Sequence, residues 1–255
     1  MTPFFFGPKA DQLFGCHHEP RAGGAARDNG VLLCSPTDPE YGRSHRAMNR
    51  LGALLARSGF HVLQFDYFGM GDSAGMLEDA DLGRWCADIA SAKDELGRRS
   101  GLETTTLVGL RMGATLAALT GAELGGVEKM VMWEPVIDGI TYLGDIRKLA
   151  ASPVVRVEDD HGDTELLGVP LSLPIMSDLV GFELQGLTEP PAKHVMLVST
   201  SESPPSEALG QHLTQLGCEV DLRHTPDTEV WRSDEHAIVP GTAVRSIVSW
   251  LKDTP

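Results

Sequence analysis

The sequence predicts an α/β fold, a mostly parallel central sheet with helices on both faces, and three observations predict it. Apolar β-branched runs alternate with amphipathic helical stretches through the first half of the chain, the pattern of a parallel sheet covered on both sides. At Leu107-Val108-Gly109-Leu110-Arg111-Met112-Gly113-Ala114 the chain passes from strand to helix within a few residues. A length of 255 residues with 42% hydrophobic content allows one large domain with a substantial core, so a single domain over residues 1–255 is expected.

The elements follow in order. Leu13 to His18 and Val31 to Cys34 are short apolar segments around a Gly/Ala/Arg turn region, read as a pair of early strands. Ser44 to Ser58 carries Met48, Leu51, Leu54 and Leu55 at helical spacing, with Gly59 as its stop. Phe60 to Asp66 is a buried strand, and the glycine-punctuated loop Tyr67 to Gly75 leads to a helix over Ala80 to Leu96 with Leu82, Trp85, Ile89 and Ala92 on one side. Thr104 to Leu110 is a buried strand, and Ala114 to Leu119 is a run of strong helix formers. Val127 to Trp133 is a strand ending in Glu134-Pro135, and Thr141 to Ala150 is helical. From Ser152 to Pro191 the period is lost among five prolines and the acidic tract Glu158 to Asp163, which reads as a small cap insertion at 152–191. The sheet resumes at His194 to Val198, followed by a helix over Pro205 to Leu216, a strand over Cys218 to His224, a loop holding His236, and a last helix from Val244 to Lys252.

A net charge of −15 opposes nucleic acid and anionic membrane surfaces as partners. Cys16, Cys34, Cys86 and Cys218 have neither metal nor redox spacing and read as reduced thiols, so no metal or other cofactor is expected. No basic-then-apolar leader opens the sequence and no apolar run reaches membrane-spanning length, which predicts a soluble, cytoplasmic protein with no membrane span.

A strand, a tight turn Gly-x-x-x-Gly and a helix form the frame of a nucleophile elbow, in which the middle side chain stands exposed over the sheet. With Val31 to Pro36, Gly59 to Ser73 and His236 before Trp250-Leu251, this frame resembles the α/β-hydrolase superfamily over nearly the whole chain. More narrowly, Gly109-Leu110-Arg111-Met112-Gly113-Ala114 with Trp133-Glu134-Pro135-Val136 resembles a serine-aminopeptidase-like branch that includes hydrolase-like proteins associated with exosortase systems. Where related proteins present serine, this chain has Arg111. A guanidinium neither deprotonates in a protein nor attacks a carbonyl, so a serine-hydrolase cycle at that position is excluded.

Three roles remain for Arg111: holding an anionic substrate group beside the helix N-terminus, stabilising developing negative charge, or a structural ion pair, for which Glu134 is the expected partner. The resemblance puts His236 at the catalytic histidine and the acid after the seventh strand, where Ser203 replaces the expected aspartate and Glu202 lies one residue early. Glu134, after the preceding strand, is the favoured orienter of His236. The oxyanion donors are the Met112 N–H and that of Ser35 or Thr37, because Pro36 has none. Cys34 ends a strand at the pocket mouth, open to a thiolate role or to a buried apolar one. His45 and Arg43, with Arg46 and Arg50, open the first helix near the same sheet end. Gly71-Asp72-Ser73-Ala74-Gly75 matches the Gly-x-Ser-x-Gly text, yet neither a strand enters it directly nor a helix leaves it directly, so Ser73 reads as a loop residue. The expected function is action on a small-molecule or carrier-bound acyl, ester or thioester substrate with an anionic group, by acid–base chemistry without an acyl-enzyme. The alternative is a hydrolase-like binding or scaffold protein without turnover, and a homodimer is left open.

Overall fold

The polypeptide folds around one sheet whose middle strands are apolar on both sides. In a computed structural model, residues 1–21, 27–150, 165–166, 169–170, 173–200, 203–232 and 239–254 are described. Eight strands form this sheet in the order β1-β2-β4-β3-β5-β6-β9-β10. They are β1 (Thr2–Phe6), β2 (Leu13–His18), β3 (Asn29–Cys34), β4 (His61–Phe65), β5 (Thr104–Leu110), β6 (Lys129–Trp133), β9 (His194–Ser199) and β10 (Glu219–His224). The pairs β1–β2 and β2–β4 are antiparallel and the rest are parallel. The two-residue strands β7 (Glu165–Leu166) and β8 (Val169–Pro170) pair with each other.

Alternation along the central strands builds two cores. Leu32, Leu107 and Met132 face one core with side chains of α2 (Leu82–Ser100) and α3 (Met112–Leu124). Val31, Leu33, Val108, Leu110 and Trp133 face the other, against α1 (Tyr41–Arg57) and α7 (Gly241–Asp253). The remaining helices are α4 (Gly139–Ala150), α5 (Leu173–Val180) and α6 (Pro204–Gln215). Local chemistry sets the helix ends. Asp81 caps α2 by accepting from the Arg84 N–H, Gly101 ends it in a left-handed conformation, and Ser203 caps α6 with proline in its first turn.

The sequence reading needs one topological correction. β2 and β3 are not partners, because the β3–α1–β4 crossover places β4 against the edge of β3 that such a pair needs, and β2 pairs with β4 and β1 instead. β1 itself was not foreseen. The helices also extend beyond their apolar runs: α1 begins at Tyr41, α2 reaches Ser100 and α3 begins at Met112. Of the expected cap, β7, β8, α5 and a 3-10 turn at Leu184–Gly186 are described, whereas the acidic tract lies outside the described residues. All four cysteines are unpaired, and among the described residues no helix is long and apolar enough to cross a membrane.

Candidate functional site

The site begins at the corner between β5 and α3. Arg111 has φ 54° and ψ −124°, a left-handed setting that costs a non-glycine residue about 1–3 kcal/mol and persists only where the surroundings impose it. The two glycines impose it. A Cβ on Gly109 would lie 2.3 Å from the Ala114 Cα, and one on Gly113 would lie 2.2 Å from the Cys34 carbonyl oxygen and 2.3 Å from that of Ser35. Helix α3 therefore presses directly onto the end of β3. The Arg111 N–H donates to the Trp133 carbonyl at 2.9 Å, and the Thr115 hydroxyl ties α3 to the Val136 carbonyl at 2.8 Å. Strand, tight corner and helix thus follow one another directly, with arginine at the apex.

The guanidinium is almost wholly enclosed. Its Nε donates to Glu40 Oε1 at 2.9 Å, Nη1 makes a long contact of 3.4 Å to the Glu134 carbonyl, and the rings of Trp231 and Tyr142 lie 5.2 and 5.6 Å from its carbon. Tyr142 adds a 3.4 Å contact from its hydroxyl to Glu40 Oε2. Burial pushes the Glu40 carboxyl up and Arg111 opposes that shift, while burial pulls Arg111 down and the charge and hydrogen bond of Glu40, with Tyr142 and Glu134, together more than restore it. Arg111 stays a cation. Such a pair contributes little net stability against apolar packing, but removing one member leaves a buried charge alone.

Glu134 follows β6 at φ 47°. Its N–H donates to the Val198 carbonyl at 2.9 Å, and Oε1 accepts from the Thr200 hydroxyl at 2.8 Å and from the Thr200 N–H. The carboxylate is thus pinned to the turn after β9 and does not form the expected ion pair with Arg111, whose partner is Glu40. Among the described residues Arg111 and Glu134 are the two non-glycine residues with positive φ. Both line one cleft of about 180 Å³, together with Tyr142, Asp145, Ser203 and Ser206.

The other expected site residues distribute unevenly. The Met112 N–H opens α3, where no carbonyl of the helix can reach it. Ser35 and Thr37 are buried and do not border the cleft, and the Thr37 carbonyl accepts the Glu40 N–H at 3.0 Å. Cys34 is in the core, and burial pushes its thiol far up, so no thiolate is at hand there. Arg43 donates to the Pro39 carbonyl at 3.2 Å, and His45 lies beside Asn49 and Tyr41 on a different cavity. His236 and Glu202 lie outside the described residues. Ser73 donates to the Asp66 carbonyl at 2.6 Å and accepts from the Phe14 N–H at 2.9 Å, so its hydroxyl is engaged in fixing a loop. Among the described residues no group of three or more His, Cys, Asp or Glu side chains is arranged to hold a metal ion.

Glu40 is the residue the sequence reading missed. An arginine turned into an apolar corner requires a carboxylate, but which one is set only by the fold, which brings Glu40, at the start of α1, against it.

Against solved structures, the whole chain superposes on the Est1E protein of Butyrivibrio proteoclasticus with ferulic acid bound, at a TM-score of 0.69 and 16% identity, covering 98% of this chain and 96% of that one. A proline iminopeptidase of Mycobacterium smegmatis gives 0.68 and 12%, covering 98% and 97%, and an esterase of Pyrococcus furiosus gives 0.67 and 17%, covering 98% and 89%. The chain has the α/β-hydrolase fold. The family model for serine aminopeptidase, S33, matches residues 41–158, less than half of the chain. No curated protein matches the sequence significantly.

Proposed function

We propose that this α/β-hydrolase acts on a small acyl, ester or thioester compound bearing an anionic group, by acid–base chemistry with no acyl-enzyme at residue 111. The observation that carries the reading is the convergence of strain: Arg111 and Glu134, the non-glycine residues held at positive φ among those described, both line the same cleft. Backbone strain of this kind collects where side chains must be aimed at a ligand. In this reading Glu134 orients His236 as the base or acid, Arg111 presents its Nη edge to the anionic group while Glu40 holds Nε, and the Met112 N–H faces a developing oxyanion. Gly-Leu-Arg-x-Gly makes the exosortase-associated, serine-aminopeptidase-like branch our proposed placement.

A second reading has its own observation. Glu40 already neutralises Arg111, so the corner can be a locked structural element of a protein that binds the ligand without turning it over.

One set of assays separates them: hydrolysis of p-nitrophenyl ester and acyl-thioester panels by the wild type, Glu134→Gln, His236→Ala and Arg111→Ala, with binding of monomethyl succinate measured in parallel. The acid–base reading expects turnover that falls about a hundredfold or more in Glu134→Gln and His236→Ala. Arg111→Ala should weaken the succinate ester by about 1.5–3 kcal/mol, the range for a charge-assisted hydrogen bond. Binding without turnover in every variant selects the second reading, and unchanged affinity in Arg111→Ala removes the anion-holding role.

A further inference from the structure

The eight-stranded sheet ends in two edges that offer different things. At one edge β1 carries Pro3, which has no N–H to donate, and no charged side chain that could fix a register. At the other edge stands β10, which is free of proline and pairs with β9 alone. The Glu219 N–H donates to the Lys193 carbonyl at 2.7 Å, and the Thr225 N–H donates to the Ser199 carbonyl at 2.7 Å. The strand period of two then turns the backbone groups of Asp221 and Arg223 toward β9 as well. It leaves the N–H and C=O of Val220, Leu222 and His224 facing away from the sheet. Among the described residues no backbone group pairs with that outer row.

The side chains of β10 divide between its two faces. Arg223 donates to both carboxylate oxygens of Asp221 at 2.7 Å, and the two border a groove of about 700 Å³ with Arg245, Ser249 and Trp250 of α7. That groove leaves room beside the charged face for further side chains. On the opposite face Val220 packs toward α6, and Leu222 is 45% exposed.

We propose that β10 pairs antiparallel with the β10 of a second copy of this chain, about a twofold axis at Leu222, joining two sheets into one. In that register Leu222 exchanges both backbone bonds with Leu222 of the second copy, and Val220 does so with His224 of the second copy, so the whole outer row is satisfied. The exposed leucines meet on one face. On the other, Asp221 stands opposite Arg223 of the second copy, in the non-hydrogen-bonded position where side chains lie closest. The charges select this register over its neighbours. One step along the ladder sets Asp221 or Arg223 against its own copy on the axis. A second step sets Glu219 against Asp221, or Asp221 against Asp227, again like against like. The surface lies apart from the Arg111 cleft and does not depend on how that cleft is read.

The test is sedimentation velocity of the full chain over a concentration series, for the wild type, Leu222→Pro, Asp221→Arg and Arg223→Asp, with circular dichroism as the check on folding. The wild type is expected to dimerise reversibly, and Leu222→Pro, which removes the central outward N–H, should abolish the dimer. Each charge variant leaves one sign of charge at both positions, so its own dimer should weaken about tenfold or more. Mixing the two charge variants should restore association, because every pair across the axis is again opposite in sign. Both substitutions sit on the outer strand, so they keep the test intact if Leu222→Pro folds poorly. A wild type that stays monomeric throughout, a dimer untouched by Leu222→Pro, or charge variants that fail to associate when mixed overturns the proposal.

Discussion

Two glycine-bracketed segments of this chain look alike in text and differ in every physical respect. Gly71 to Gly75 carries the letters of a serine elbow, yet no strand feeds it directly, α2 begins only at Leu82, and both hydrogen-bonding capacities of the Ser73 hydroxyl are engaged. Gly109 to Gly113 lacks the serine and has the geometry: a strand enters, a helix leaves, and the apex sits at φ 54°. The comparison teaches that a tight strand-to-helix corner is made by close backbone approach at its glycines, independently of which side chain the apex carries. Chemistry at the apex is then a separate matter, decided here by a guanidinium and the carboxylate that neutralises it.

The largest effect should come from breaking that neutralisation. Glu40→Ala leaves Arg111 as an uncompensated buried cation and should cost about 3–5 kcal/mol by chemical denaturation, whereas a Glu40→Leu, Arg111→Met double variant should recover most of that loss. If the single change costs no more than an ordinary surface substitution, the ion pair is not what closes the corner. Next in size is the frame itself. Gly113→Ala drives a Cβ to 2.2 Å from the Cys34 carbonyl and should cost about 3 kcal/mol, the upper end for overpacking against fixed backbone. Smallest is the look-alike loop, where Ser73→Ala removes two hydrogen bonds and should cost about 1–2 kcal/mol without altering ligand binding at the Arg111 cleft. A change in cleft chemistry on Ser73→Ala would erase the distinction between the two segments.

Much of the fold was legible because the relevant signals are local. Thr104 to Leu110 is rich in β-branched and apolar residues and coincides with β5, and the alternation of strands with amphipathic helices leads to the parallel sheet. Pairing was less legible. β2 and β3 are consecutive strands in sequence, but the crossover through α1 puts β4 between them, and no local pattern carries that. β1 escaped because five residues beginning Thr-Pro and ending in three phenylalanines offer no alternation to recognise. At the site, the strand-to-helix corner was readable from its glycines. Glu40 was not, since its partner lies 71 residues away and a lone carboxylate ahead of a helix ordinarily reads as a favourable end charge. Glu134 was placed at a strand end from its position, whereas its attachment to Thr200 depends on β6 and β9 being neighbours.

The most direct measurement treats the protein with a serine-directed fluorophosphonate, maps any adduct by peptide mass spectrometry, and follows the first turnover of a p-nitrophenyl ester by stopped flow. No adduct at residue 111 or Ser73 and no burst of nitrophenol are expected, because the corner presents a paired guanidinium and the loop hydroxyl is engaged with backbone. Stoichiometric modification of Ser73, or a burst matching an accumulated acyl-enzyme, would contradict the account at its root.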